Sequence, residues 1–306
     1  MGTHAHGPSM AGARLVDGGS LLAKAEPYSD MIIDLPISNG IRLQMASGNT
    51  SVSSFPTARI QKGLILWCDG QDLSEEAVGF GVPILKQGLH TIFPGEVELY
   101  RNQDSPPNEF NARFKLNLEE KFIGSGSTTI HNQLIYRVKN IFAGMIRNYS
   151  WSRNFLTAAS NLLRSTLHWQ TTYEPADFST YLALRYCLNA GKSSVVVELI
   201  ERGFTAENIT EIIIMNEQGA HFFDQFHADG GMIKRGDEIG IWDEVITESA
   251  AFICSSRQVS FCLPQVIGAR LFHGRELIGR RLAWAGFGYT FSPSLRHFAY
   301  EININR

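Results

Sequence analysis

The sequence predicts a mainly β fold: a large antiparallel β-sandwich, read either as one sheet system or as two related β halves, with a helical segment near 130–161. Three observations carry that expectation. Apolar residues alternate with polar ones over most of the chain, the period of a half-buried strand. Turn signals such as SNG, SGNT and DGQD punctuate the alternating runs. The strands are joined by hairpins and not by repeated strand–helix–strand units, which favours antiparallel pairing. The 28 glycines and a charged fraction of only 19% suit a turn-rich β protein.

Taken in order, residues 1–28 are polar and Gly-rich and read as a flexible leader. Their opening, MGTHAHGPSM, has no apolar core of a signal peptide and resembles an expression tag, with Met10 as the candidate native start. Residues 29–306 are expected to form a single large domain with a helical insertion at 129–161. MIIDLPI, IRLQM and SVSSFP read as short strands. ARIQKGLILWC reads as a strand placing Ile60, Leu64 and Leu66 on one face and Ile65 and Trp67 on the other. Asp69-Gly70 tolerates the positive φ of a tight hairpin turn. VPILKQGLHTIFPG, EVELYR and EFNARFKLNLEEKFIG continue the alternation.

The one helical pattern spans about Thr129 to Asn148. There Ile130, Leu134, Val138, Ile141 and Met145 recur at spacings of three and four, with Thr129 or its neighbours able to cap the start. A second helix is expected through about Asn161. From Leu163 the period returns to two. A hairpin is expected around Asn189–Gly191, and a strand pair across ITEIIIMNEQGAHFFDQF. AAFICSS, VSFCLP, ARLFH, AWAGFGYTF and HFAYEINI complete the strand list.

One internal echo stands out. The stretch Gly63–Gly95 holds a Trp, a Gly turn, an acidic run and a GFG triplet at Gly79–Gly81. Near the end, LFHGREL at Leu271–Leu277, read as an aromatic residue and a turn at Gly274, is followed by a second GFG at Gly286–Gly288. Each triplet is too short for a phosphate loop and is expected to mark a bulge or a close strand approach.

Composition narrows the function. The net charge of −3 argues against general nucleic-acid binding, and no run of about 18 apolar residues exists to span a bilayer. Cys68, Cys187, Cys254 and Cys262 form no CxxC pair and read as buried free thiols, which with the missing signal peptide points to the cytoplasm. GxSxG, P-loop and GxGxxG motifs are all absent, so no nucleotide cofactor is expected. The oligomeric state is left open.

Chemistry is expected where charge concentrates. His221–Glu248 carries seven acids against Lys234 and Arg235, and Arg257–Arg306 carries seven arginines against Glu276 and Glu301. Asp237, Glu238, Asp243 and Glu244, with His227 as a proton carrier, are the candidate acid–base groups. Apolar neighbours such as Ile239 and Trp242 can raise a carboxyl pKa. Arg270, Arg275, Arg280 and Arg281 are the candidate ligand-holding arginines, because a guanidinium fork matches a carboxylate. Trp67, Trp242 and Trp284 are the candidate stacking residues. His221 and His227 lie about 20 Å apart on a straight strand, too far to share an ion. A calcium ion held by Asp229, Asp237, Glu238 and Asp243 is the one metal the residues suggest, though no EF-hand spacing is present.

The functional expectation is a carbohydrate-binding or carbohydrate-modifying protein acting on a small-molecule or glycan ligand, an acidic sugar in particular. Acid–base chemistry would make it a lyase, hydrolase or epimerase. The alternatives are a non-enzymatic assembly module and a carrier of an apolar ligand, the latter suggested by 19 phenylalanines.

Overall fold

The structure is a computed structural model. It describes residues 32–123 and 170–306, apart from 39, 49–55, 76, 89, 102–105, 107, 190, 206–207, 229–230, 237, 240–241 and 279–280. The expected leader and the expected helices over 129–161 lie outside the described residues. Within those residues the chain is almost wholly antiparallel strand.

The strands run β1 (Ile32–Ser38), β2 (Ile41–Ala46), β3 (Ile65–Cys68), β4 (Gln71–Asp72), β5 (Gly79–Gln87), β6 (His90–Tyr100), β7 (Glu109–Ile123), β8 (Gln170–Asn189) and β9 (Ser194–Arg202). They continue as β10 (Glu211–Gly219), β11 (Gln225–Ala228), β12 (Met232–Arg235), β13 (Asp243–Val245), β14 (Ser249–Cys254), β15 (Val259–Pro264), β16 (Ala269–Ile278), β17 (Arg281–Phe291) and β18 (Ala299–Asn305). β1–β4 make a four-stranded sheet in sequence order. The other fourteen form one sheet in the order β12-β11-β14-β15-β18-β9-β8-β7-β6-β5-β10-β17-β16-β13. No described helix is long and apolar enough to cross a membrane.

The large sheet curls onto itself. β15 and β5 stand fourth and tenth in the order, which in a flat sheet would separate them by about 29 Å. Yet the rings of Phe261 and Phe80 meet at 5.0 Å. Phe252 and Phe261 likewise meet Phe287 of β17, and Tyr300 of β18 meets Tyr289 of β17. The described phenylalanines mostly fill this interior. The first and last strands, β12 and β13, are brought together by the curl: Lys234 Nζ lies 3.9 Å from Asp243 Oδ2. The small sheet shares the same interior, since Leu35, Leu43, Met45 and Leu66 belong to the cluster that holds Phe80 and Phe261.

Alternation places residues as expected in most strands. Leu64, Leu66 and Cys68 are buried, while Ile65 and Trp67 are half-buried. Asp69 and Gly70 have φ of 50° and 78°, the two positive values of a tight hairpin turn between β3 and β4. Four expectations need correction. SVSSFP is not a strand through its end, because Pro56–Arg59 is a 3-10 turn. ARIQKGLILWC therefore becomes a strand only from Ile65, and Ile60 packs in a separate cluster from Leu64 and Leu66. β10 and β11 are consecutive but not paired: β10 lies between β5 and β17, and β11 between β12 and β14. Finally, Gly274 of HGRE is no turn. It is a regular ladder position of β16 opposite Gly286. All four cysteines are free; Cys68 and Cys254 are buried and the other two half-buried.

Candidate functional site

β10 is the strand around which polar chemistry gathers. Ile212 and Ile214 face the main core, and Ile213 and Met215 face a second cluster on the opposite side with Val82 and Ile84. Asn216 and Gln218, both fully buried, therefore point inward, and Glu217, 4% exposed, points to the outer face. Asn216 Oδ1 accepts hydrogen bonds from Gly81 N at 3.1 Å and from Tyr300 Oη at 2.7 Å. Tyr186 Oη donates to Gly81 O at 2.8 Å. Burial pushes the phenols of Tyr186 and Tyr300 well up from their ordinary value, so both stay protonated donors.

The two GFG triplets flank this strand. Phe80 pairs with Asn216 from one side and Phe287 pairs with it from the other. The triplets lie opposite the same residues of β10, in β5 and β17. The echo does not extend to the preceding turns, since Asp69-Gly70 closes a hairpin of the small sheet and Gly274 lies mid-strand.

On the outer face of β17 and β16, three aromatic side chains assemble. Trp242 lies parallel to Phe272, with centroids 5.6 Å apart and planes 1° apart. Trp284 meets Trp242 edge-on at 5.8 Å. Gly288 makes the platform possible: a Cβ there would stand 2.4 Å from Trp242 Cη2. The guanidinium of Arg270 sits 5.1 Å from the Phe272 centroid and pairs with Glu211 at 3.3 Å. Both indoles are half-buried and Arg270 is exposed.

A polar seam closes the sheet where β12 meets β13 and β16. Asp243 is the ladder partner of His273. Lys234 Nζ approaches His273 Nε2 at 3.5 Å as well as Asp243. The ammonium can only donate, so a hydrogen bond between the two requires Nε2 to be the unprotonated ring nitrogen. The imidazole, 2% exposed, packs edge-on against Phe226 at 4.1 Å. Arg275 reaches the same seam, its Nη1 lying 1.7 Å from where a Cβ on Gly236 would stand.

The sequence candidates divide accordingly. Asp243 lies beside Lys234 at the seam and Arg275 beside Gly236; Trp242, Trp284 and Arg270 come together on the aromatic platform. Asp237 and Arg280 lie outside the described residues, and of Arg281 only the backbone is described. Glu238 is exposed and its carboxylate accepts from Arg235 N at 2.9 Å, a local loop brace. Glu244 is exposed on β13. His227 is half-buried on β11, with Nε2 3.1 Å from Gln225 Oε1. Trp67 lies in the small sheet, with the Arg42 guanidinium 5.2 Å from its ring centroid. His221 pairs with Glu75 at 3.0 Å. Among the described residues no three His, Cys, Asp or Glu side chains converge to hold a metal ion, and Asp229 of the calcium set is not described. Sequence reading missed His273, Phe272 and Glu217. The first two sat in LFHGREL, within the echo, and the third stood next to a turn expected at Gln218-Gly219.

No known family matches the sequence, and no curated protein matches it. Among solved structures, a galactose mutarotase-like protein from Lactobacillus casei ATCC 334 is similar at 9% identity and a TM-score of 0.39, covering 90% of this chain and 100% of that one. The protein HI1317 is similar at 9% identity and a TM-score of 0.35, with the same coverage. Likenesses this distant define neither the fold nor the activity of this chain.

Proposed function

We propose that the protein binds carbohydrate on the outer face of β16 and β17, and that the curled sheet forms the two layers of a sandwich that carries this site. The observation that carries the reading is the Trp242–Phe272–Trp284 assembly. Two half-buried indoles, one parallel to a buried ring, offer apolar faces of the size of a pyranose. Arg270 at the platform's edge supplies a fork suited to a sugar carboxylate. Its existing partner, Glu211, is one-quarter exposed, so the arginine can exchange it for a ligand at modest cost.

The test is a tryptophan-emission and saturation-transfer NMR titration with D-glucose, D-galactose, D-glucuronate and D-galacturonate. Binding of at least one sugar, lost in Trp242→Ala and in Trp284→Ala, is expected. Arg270→Ala should remove the preference for the uronates while leaving neutral-sugar binding. A wild-type protein that responds to none of the four sugars sinks the reading.

A further inference from the structure

One buried carboxylate lies beside this platform, and the sheet is built around it. Glu217 of β10 has Gly79 of β5 as its ladder partner on one side and Gly286 of β17 on the other. Gly286 is in turn the partner of Gly274 in β16. Across four adjacent strands, then, one row holds a single side chain, and that side chain is an acid. The neighbouring same-face positions of β17 are Trp284 and Gly288, and Trp242 lies over Gly288. The Trp242–Trp284 pair accordingly spans the row at Gly286, one strand away from Glu217. That is the diagonal separation across which long side chains on one sheet face reach each other.

Three glycines beside one acid have a plain structural use, since two of them allow close backbone approach. A Cβ on Gly286 would fall 2.1 Å from Asn216 O, and one on Gly79 would fall 2.7 Å from Leu64 O. That accounts for the glycines but not for the acid between them. A buried carboxylate costs several kcal/mol to desolvate, and an apolar residue would fill the position without that cost. Glu217 is not without a partner in the fold, so a ligand would add to an interaction already made there.

We propose that Glu217 is the hydroxyl-binding anchor of the sugar site. The inference rests on the carbohydrate reading above and deepens it. An ionised carboxylate only accepts, and its two oxygens match two adjacent hydroxyl donors. A pyranose lying on the indoles would point a vicinal diol at Glu217 while its own carboxylate meets Arg270. The ligand class this selects is a uronate with a free vicinal diol.

The test uses the full chain and the same titration with D-glucuronate and D-galacturonate. Glu217→Gln keeps the volume and removes the charge, and is expected to weaken binding by about tenfold or more, the loss of a charge-assisted hydrogen bond. Glu217→Asp keeps the charge but withdraws it by one methylene, and should weaken binding as well. A monodeoxy uronate that breaks the diol should bind wild type more weakly and the Gln variant no differently from its parent sugar. If either variant folds and binds as wild type does while Trp242→Ala still abolishes binding, the anchor is overturned and the sugar site stands. If wild type binds a neutral sugar but no uronate, the anchor falls and the sugar site stands; if it binds none of the four sugars, both fall. Should Glu217→Gln fail to fold, the Asp variant and the deoxy sugar decide the question.

Discussion

The two GFG triplets are the same three residues on either side of the same strand, and they adopt different structures. In the first, Gly79 and Gly81 have φ of 84° and 76°, and the ladder with β10 skips between Met215 and Asn216. Gly81 is the extra residue of a bulge. Because of it Phe80 faces the main core while Val82 and Ile84 face the opposite cluster. In the second triplet the ladder with β10 is unbroken from Ile212 to Gly219. The difference comes from what stands behind each third glycine. Behind Gly81 is the buried Tyr186, whose hydroxyl bonds the Gly81 carbonyl; behind Gly288 is the half-buried indole of Trp242. An identical tripeptide thus switches a strand's faces in one place and seats an aromatic platform in the other.

Substitution of the glycines separates these roles. The largest effect is expected for Gly286→Ala, since its Cβ would meet backbone, Asn216 O at 2.1 Å and Glu217 Cα at 2.8 Å. β10 and β17 must move apart, and a loss of more than about 3 kcal/mol is expected by urea denaturation. Gly81→Ala comes next. It combines left-handed backbone strain with a Cβ 2.7 Å from Tyr186 Oη, and should cost about 3 kcal/mol. Gly288→Ala should cost less, about 1 kcal/mol, because an indole at the surface can tilt away. Its signature is a shifted tryptophan emission and weakened sugar binding with the melting temperature little changed. Equal destabilisation by Gly81→Ala and Gly288→Ala would show that the two triplets are not distinguished by what packs behind them.

The smallest of these effects is in pH. Burial, and then the hydrogen bond donated to Glu98, push the Tyr100 phenol up to about 12. Burial raises Tyr186, Tyr289 and Tyr300 in the same direction. The unfolded chain, with phenols near 10, gives up these protons before the fold does, so their contribution is whole below about pH 10 and is lost as pH rises towards 12. Absorbance of phenolate should therefore appear together with loss of near-ultraviolet circular dichroism over that interval. Phenolate formation at pH 10 with the fold intact would show these hydroxyls are open to solvent.

Most strands, and the faces of their residues, were legible in the residues alone, although Pro56–Arg59 and the position of Ile60 were not. Alternation is a local property of the backbone, so Leu64, Leu66 and Cys68 could be assigned inward and Asp69-Gly70 assigned to a tight turn from the residues alone. The sequence also marked out Trp242, Asp243, Arg270 and Arg275 as candidate site residues, because charge and aromatics concentrate there. Which strands pair was decided only by the tertiary structure. β10 and β11 read as neighbours because a short glycine-containing segment joins them, yet β10 is held by β5 and β17, more than 60 residues away on either side. The same ambiguity concealed Glu217. Period two gives its face but not its partners, so a residue between Asn216 and Gln218 stood only as the neighbour of an expected turn until two glycine-bearing strands closed around it. The meeting of Lys234, Asp243 and His273 depends on the same cause, since strands at opposite ends of a sheet come together only when the whole sheet curls.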